Sequence, residues 1–111
     1  MTLEKLELCC ELYKDIIEKY GFKPDSMGYC SFINDGNYPT AGEAICLSPY
    51  NVYASKTVYA NEKGIVYYGW KLIKPPYDNH IKKLYKEYLL AIKSYKKYQL
   101  DKKLNSISKD F

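Results

Sequence analysis

The chain has 111 residues, with 17 basic residues that are all lysine, 13 acidic ones, a net charge of +4, 14 tyrosines, one tryptophan and one histidine. The absence of arginine weighs against a sequence-specific nucleic-acid reader, because guanidinium groups supply the usual bidentate contacts to guanine edges and phosphates. It weighs equally against a small ribonuclease, which would set Arg, His and Lys around a scissile phosphate, and no run of 18 apolar residues exists to form a transmembrane helix.

The length suits one domain with one core. Its first predicted element is a helix capped by Thr2 and ended by Gly21, with Phe22 placed for the hydrophobic contact that accompanies a glycine C-cap. Leu3, Leu6, Cys9, Cys10, Tyr13, Ile16, Ile17 and Tyr20 recur at helical spacing and are assigned to its buried face. Glu4, Glu7, Glu11, Asp15 and Glu18 gather on an adjacent arc roughly 80° wide. Like charges three and four residues apart cost a helix a few tenths of a kcal/mol per pair, and Lys14 and Lys19 offset this only in part.

Residues 23–76 read as β. Tyr29 to Ile33 alternates and runs into the turn chemistry of Asn34-Asp35-Gly36-Asn37. Glu43 to Leu47 is a second short strand, stopped by Ser48-Pro49. The clearest hairpin pairs Thr57 to Ala60 with Ile65 to Ile73 across Asn61-Glu62-Lys63-Gly64. In its second strand Val66, Tyr68, Trp70 and Leu72 share a face assigned to the core, opposite Tyr88 of the last helix. Ile65, Tyr67, Gly69, Lys71 and Ile73 share the other, which is too apolar for plain solvent surface and is therefore covered or a binding surface.

Pro75-Pro76 ends the β region, and Asp78 is placed to cap a closing helix. Ile81, Leu84, Tyr85, Tyr88, Ala91, Ile92, Tyr95 and Tyr98 give that helix a broad apolar face suited to packing on a sheet. Lys102 and Lys103 interrupt the pattern, so the helix is expected to fray there. The expected fold is thus α+β: an N-terminal helix, an antiparallel meander of three to five short strands, and a long C-terminal helix on one sheet face. Residues 1–104 form the domain and 105–111 a mobile tail.

Charge is divided unevenly: residues 1–70 carry a net −3 and residues 71–111 a net +7. Lys82, Lys83, Lys86, Lys93 and Lys97 lie opposite the apolar stripe of the last helix, where they are either solvated surface or an electrostatic contact for nucleic acid or an acidic partner. Lying that helix on a membrane would spend the apolar face the core needs. Cys9, Cys10, Cys30 and Cys46 have no metal-ligand spacing and are expected to be reduced and mostly buried. With no basic, apolar leader at the start, a cytoplasmic setting is expected. A thiol with His80 could in principle form a nucleophilic pair, but no local signature surrounds either, and the phosphate-loop, dinucleotide and serine-hydrolase motifs are absent. No catalytic, cofactor or metal site is expected.

These features point to a small non-enzymatic protein-interaction module, monomeric or homodimeric. Its composition fits the inhibitors of phage, mobile-element or immunity type that bind and block a larger protein or nucleoprotein complex. Tyr50, Tyr53, Tyr59, Tyr67 and Lys71 are the expected partner contacts. The alternative is a non-sequence-specific nucleic-acid binder that uses the C-terminal lysines with exposed tyrosines as stacking platforms.

Overall fold

The computed structural model describes residues 1–32 and 38–109, with side chains as far as 104. The predicted turn at 34–37 lies outside the described residues. Two short helices, α1 (Leu3–Leu12) and α2 (Lys14–Tyr20), open the chain. Seven short strands follow: β1 (Tyr29–Cys30), β2 (Thr40–Ala41), β3 (Ile45–Leu47), β4 (Val52–Ala54), β5 (Thr57–Asn61), β6 (Gly64–Tyr68) and β7 (Lys71–Ile73). A 32-residue helix, α3 (Asp78–Lys109), closes it. The order is α+β, with antiparallel strands and a long C-terminal helix packed along β5 and β6.

The expected first helix is two helices because Tyr13, at φ −112° and ψ 22°, leaves helical geometry. Its ring is buried and meets Tyr77 edge-on, and its hydroxyl donates to the Ser48 carbonyl at 2.7 Å. Thr2 accepts from the Lys5 amide, and Gly21 ends α2 in the left-handed region at φ 66°, a conformation a side chain resists. Cys9 is buried as expected. Cys10 and Leu3 are not; both are exposed.

Among the described residues the strands exceed three to five because β2 and β4 join those read from the sequence, and because the stretch read as one strand, Ile65 to Ile73, is cut after Tyr68. Gly69, at φ 74°, turns the chain, and the two halves join different sheets. One sheet has four strands in the order β1-β3-β4-β7, all antiparallel; the other is β2-β6-β5, where β2 runs parallel to β6. Between β5 and β6 the Asn61 side chain accepts from the Lys63 and Gly64 amides, at 2.8 and 3.2 Å. A Cβ on Gly64 would run into the Pro39 carbonyl.

The core face of the last two strands is the reverse of the one predicted. Ile65, Tyr67 and Ile73 are buried, whereas Tyr68, Trp70 and Leu72 are exposed and Val66 is half-buried. The cross-strand register explains the inversion. Val58 and Ala60 of β5 stand opposite Tyr67 and Ile65, while the polar-tipped Tyr59 stands opposite Val66. Packing α3 on the aliphatic side leaves the other side to water. The predicted Trp70–Tyr88 core is therefore replaced by Tyr67 stacked on Tyr88, at 6.5 Å between ring centroids and 13° between planes.

Ile81, Leu84, Tyr88 and Ala91 of α3 are buried in one core with Cys9, Tyr13, Phe22, Cys30, Phe32, Ile45, Leu47 and Val52, and Tyr95, also buried, meets Tyr38 edge-on. The helix does not fray at Lys102 and Lys103. It runs through Lys109, since lysine, leucine and glutamine sustain a helix without tertiary contacts. At about 1.5 Å per residue α3 is roughly 48 Å long, and every described side chain from 96 to 104 is exposed. The molecule accordingly measures 60 × 25 × 22 Å. Among the described residues no helix is long and apolar enough to cross a membrane.

Asp78 does more than begin α3. Its carboxylate accepts from Lys19 Nζ at 2.9 Å through both oxygens and from the Tyr20 hydroxyl at 2.6 Å, tying the start of α3 to the end of α2. These donors, Tyr20 first, hold the Asp78 carboxyl below its ordinary value; burial, and then Asp78, push the Tyr20 phenol up.

Two outcomes are expected. Replacing Tyr88 by Ala should cost about 3–5 kcal/mol in a urea titration, whereas Trp70→Ala should cost about 1 kcal/mol or less, as for a surface ring with one aromatic neighbour. Equal losses would mean that both faces are packed. Because the folded-state pKa of Asp78 is depressed, its contribution is present above the unfolded aspartate value and disappears as pH falls through the folded one. Asp78→Asn should therefore be less stable than the parent at neutral pH, and the gap should close below the ordinary aspartate range. A gap that persists in acid would show that the carboxylate charge is not what matters.

Candidate functional site

The register of the four-stranded sheet builds a row across its outer face. Tyr29 of β1 stands opposite Cys46 of β3, Cys46 opposite Tyr53 of β4, and Tyr53 opposite Leu72 of β7. Alternation sends the neighbours Cys30, Ile45, Leu47, Val52, Ala54 and Ile73 into the core, so the row necessarily points outward. Trp70 adds its ring to the same face, 5.9 Å from that of Tyr29. Tyr29, Tyr53, Trp70 and Leu72 retain 36, 41, 44 and 47% of their exposure, which is high for four large apolar side chains set side by side. The outer face of the three-stranded sheet continues in kind, with Tyr59 and Tyr68 at 6.5 Å.

At the β3–β4 turn Ser48 holds Tyr50 in place. The Ser48 hydroxyl accepts from the Asn51 and Tyr50 amides at 3.0 and 3.4 Å, and the Ser48 amide donates to the Asn51 carbonyl at 2.9 Å. Tyr50 is the most exposed ring among the described residues, at 85%.

Of the predicted partner contacts, Tyr50, Tyr53 and Tyr59 are exposed. Lys71 is exposed at the edge strand, paired with the inward Ala54 and so leaving the sheet on the other side from the row. Tyr67 is a correction. It lies 7% exposed beneath α3, where burial raises its phenol pKa and the Phe32 amide opposes this, so it cannot meet a partner. Tyr68, Trp70 and Leu72 were missed because both faces of the 65–73 stretch are apolar and the largest ring was assigned inward; Tyr29, on β1, was read only as part of an alternating run. The polar tips on β5 were the available signal.

Lys82, Lys83, Lys86, Lys93 and Lys97 are all exposed on α3, away from its buried stripe. Among the described residues the ion pairs are Lys14–Glu18 at 3.9 Å and Lys19–Asp78 at 2.9 Å, so none of these five lysines meets a carboxylate. Leu89, Leu90, Leu100 and Leu104 are exposed among them, a feature the simple division into apolar and basic faces overlooked.

The single histidine has a structural partner. His80 Nε2 donates to the Ser55 carbonyl at 2.8 Å, while the buried Ser55 hydroxyl donates to the Glu43 carbonyl at 2.5 Å, pinning the β4–β5 corner to α3. The four cysteines are free thiols. Burial pushes the Cys30 thiol up to about 12 and raises Cys9 and Cys46, the latter with help from Asp25, which leaves these three poor nucleophiles. Among the described residues no group of three or more His, Cys, Asp or Glu side chains could hold a metal ion. No protein-family model matches the chain, and no curated protein or solved structure is significantly similar to it.

Alkylation of the native protein should modify Cys10 first, Cys46 more slowly, and Cys9 and Cys30 only on unfolding. Peptide mapping after timed quenching reads the order. Early labelling of Cys30 would contradict the inward assignment of β1.

Proposed function

We propose that the chain is a non-enzymatic interaction module that binds and blocks a larger protein through the outer face of its four-stranded sheet. The observation that carries this reading is the row Tyr29, Cys46, Tyr53 and Leu72 with Trp70 beside it, aligned by strand register. Tyrosine and tryptophan are the side chains that interfaces concentrate, since a rigid ring offers a large contact area for little lost rotamer freedom, and the phenol tip tolerates water until the partner arrives. Lys71, opposite the inward Ala54 on the edge strand, leaves the sheet on the other side from the row and is not part of this face. Inhibition follows from size: a 13.0 kDa protein presenting one rigid face occludes whatever it covers.

The nucleic-acid reading needs the lysines and the stacking rings to act together. The sheet row faces outward from the other side of the core, so the rings within reach of the α3 lysines are Tyr85 and Tyr98, two exposed tyrosines on the helix itself.

Affinity capture from a host lysate tests the choice when variants are compared side by side. Tyr53→Ala with Trp70→Ala should lose the captured partner, each ring contributing about 2 kcal/mol or more, roughly 30-fold, if it is a hot spot. Lys86→Glu with Lys93→Glu should keep it. On immobilised single-stranded DNA or RNA the parent should elute at low salt. Retention to high salt that the lysine variant abolishes would replace this proposal with the nucleic-acid one.

A further inference from the structure

The two charged helical faces of this chain do not meet each other. Glu4, Glu7, Glu11, Asp15 and Glu18 are exposed along α1 and α2, and only Glu18 has a cationic partner among the described residues. Among the described residues none of the five outward lysines of α3 forms an ion pair, although Lys82 lies near enough to Asp78 to help depress its pKa. Within one molecule the ion pair that joins the N-terminal helices to α3 is Lys19–Asp78, and it uses neither stripe. Both faces also carry apolar side chains where a solvated face would carry polar ones: Leu8 and Leu12 border the carboxylates, and Leu89, Leu90, Leu100 and Leu104 lie among the lysines. Residues 96–104, exposed throughout, leave part of the basic face clear of the body of the fold.

We propose that these faces dock on each other between two copies of the chain. The acidic α1–α2 face of one copy lies on the basic, leucine-bearing face of α3 of the other, and the twofold axis repeats the contact. Opposite stripes supply register and steering, and the leucines supply buried area. A contact confined to one three-turn helix is small against the roughly 1,200–2,000 Å² that stable complexes bury. Made twice by a twofold axis, it becomes a closed, self-complementary interface. The aromatic sheet row takes no part, so this dimer and the proposed partner interface are independent.

A charge-reversal exchange tests this without reference to any partner. Glu4→Lys, Glu7→Lys and Glu11→Lys together tip the five-residue acidic stripe to net positive, so that both faces of that copy are basic; Lys86→Glu, Lys93→Glu and Lys97→Glu together tip the lysine stripe to net negative, so that both are acidic. Sedimentation velocity of the parent at low salt should show a species of twice the chain mass that dissociates as salt rises. Each variant alone should be monomeric at the same concentration, its self-association weakened at least roughly tenfold. Mixed one to one, the two variants should restore the dimer, since every contact then pairs acid with base. Circular dichroism of each variant separates lost association from lost fold. A parent that stays monomeric at every salt and concentration would overturn the proposal, as would a mixture that fails to associate or a dimer that either variant leaves intact.

Discussion

One cluster of packed rings around Tyr88 holds this fold together. Phe32 lies 5.1 Å from Tyr88, Tyr67 and Tyr85 lie at 6.5 and 6.3 Å, and Tyr20 and Phe22 extend the cluster through Phe32. The rings come from α2 and the residue just past its glycine cap, the segment after β1, β6 and α3. Strands of two to five residues in separate small sheets bury too little to stand alone. They persist because each except β2, whose two residues are exposed, contributes an inward residue to a surface that α3 and these rings cover. The polar ties act at the edges of that cluster: Asp78 fastens α3 to α2, and His80 fastens it to the β4–β5 corner. Both act on the first turn of α3, so the helix is anchored where it enters the core and unsupported where it leaves.

Legibility of the sequence followed the amphipathic contrast. On α3 the contrast is strong, and Ile81, Leu84, Tyr88, Ala91 and Tyr95 of the expected apolar face are buried, whereas Tyr85 and Tyr98 of the same face are exposed. On the stretch from Ile65 to Ile73 both faces are apolar, so alternation located the strand without orienting it, and the face was assigned the wrong way round. The break at Gly69 was equally hidden, because a glycine in a strand reads as a local weakness until its φ of 74° sends the two halves to different sheets. Tyr13 interrupts the N-terminal helix for a tertiary reason: its hydroxyl is held by Ser48, 35 residues away. No local pattern carries that information. The candidate site suffered most, since its row is assembled from β1, β3, β4 and β7 by register alone, and register depends on which face is buried.

Tyrosine, used 14 times, performs two separate tasks here. Inside, Tyr13, Tyr67, Tyr88 and Tyr95 are packed as large apolar plates, the first with its hydroxyl satisfied by a backbone carbonyl. Outside, Tyr29, Tyr50, Tyr53, Tyr59 and Tyr68 present the same plates to solvent. Phenylalanine could replace several of the inner rings at little cost in packing, but on the outer faces the phenol tip keeps a contiguous ring surface wettable. This division also explains why composition alone could not separate core from surface.

The free end of α3 gives the molecule an unusual kind of modularity. From residue 96 onward the described side chains contribute nothing to the core, so the folding of the body and the length of the rod are decoupled. Each added or removed turn would change reach by about 5.4 Å and rotate the terminal side chains only slightly, without disturbing a single packed ring. The rod is thereby a ruler, set at its base by Asp78 and His80, and its length is open to variation that the globular part cannot feel.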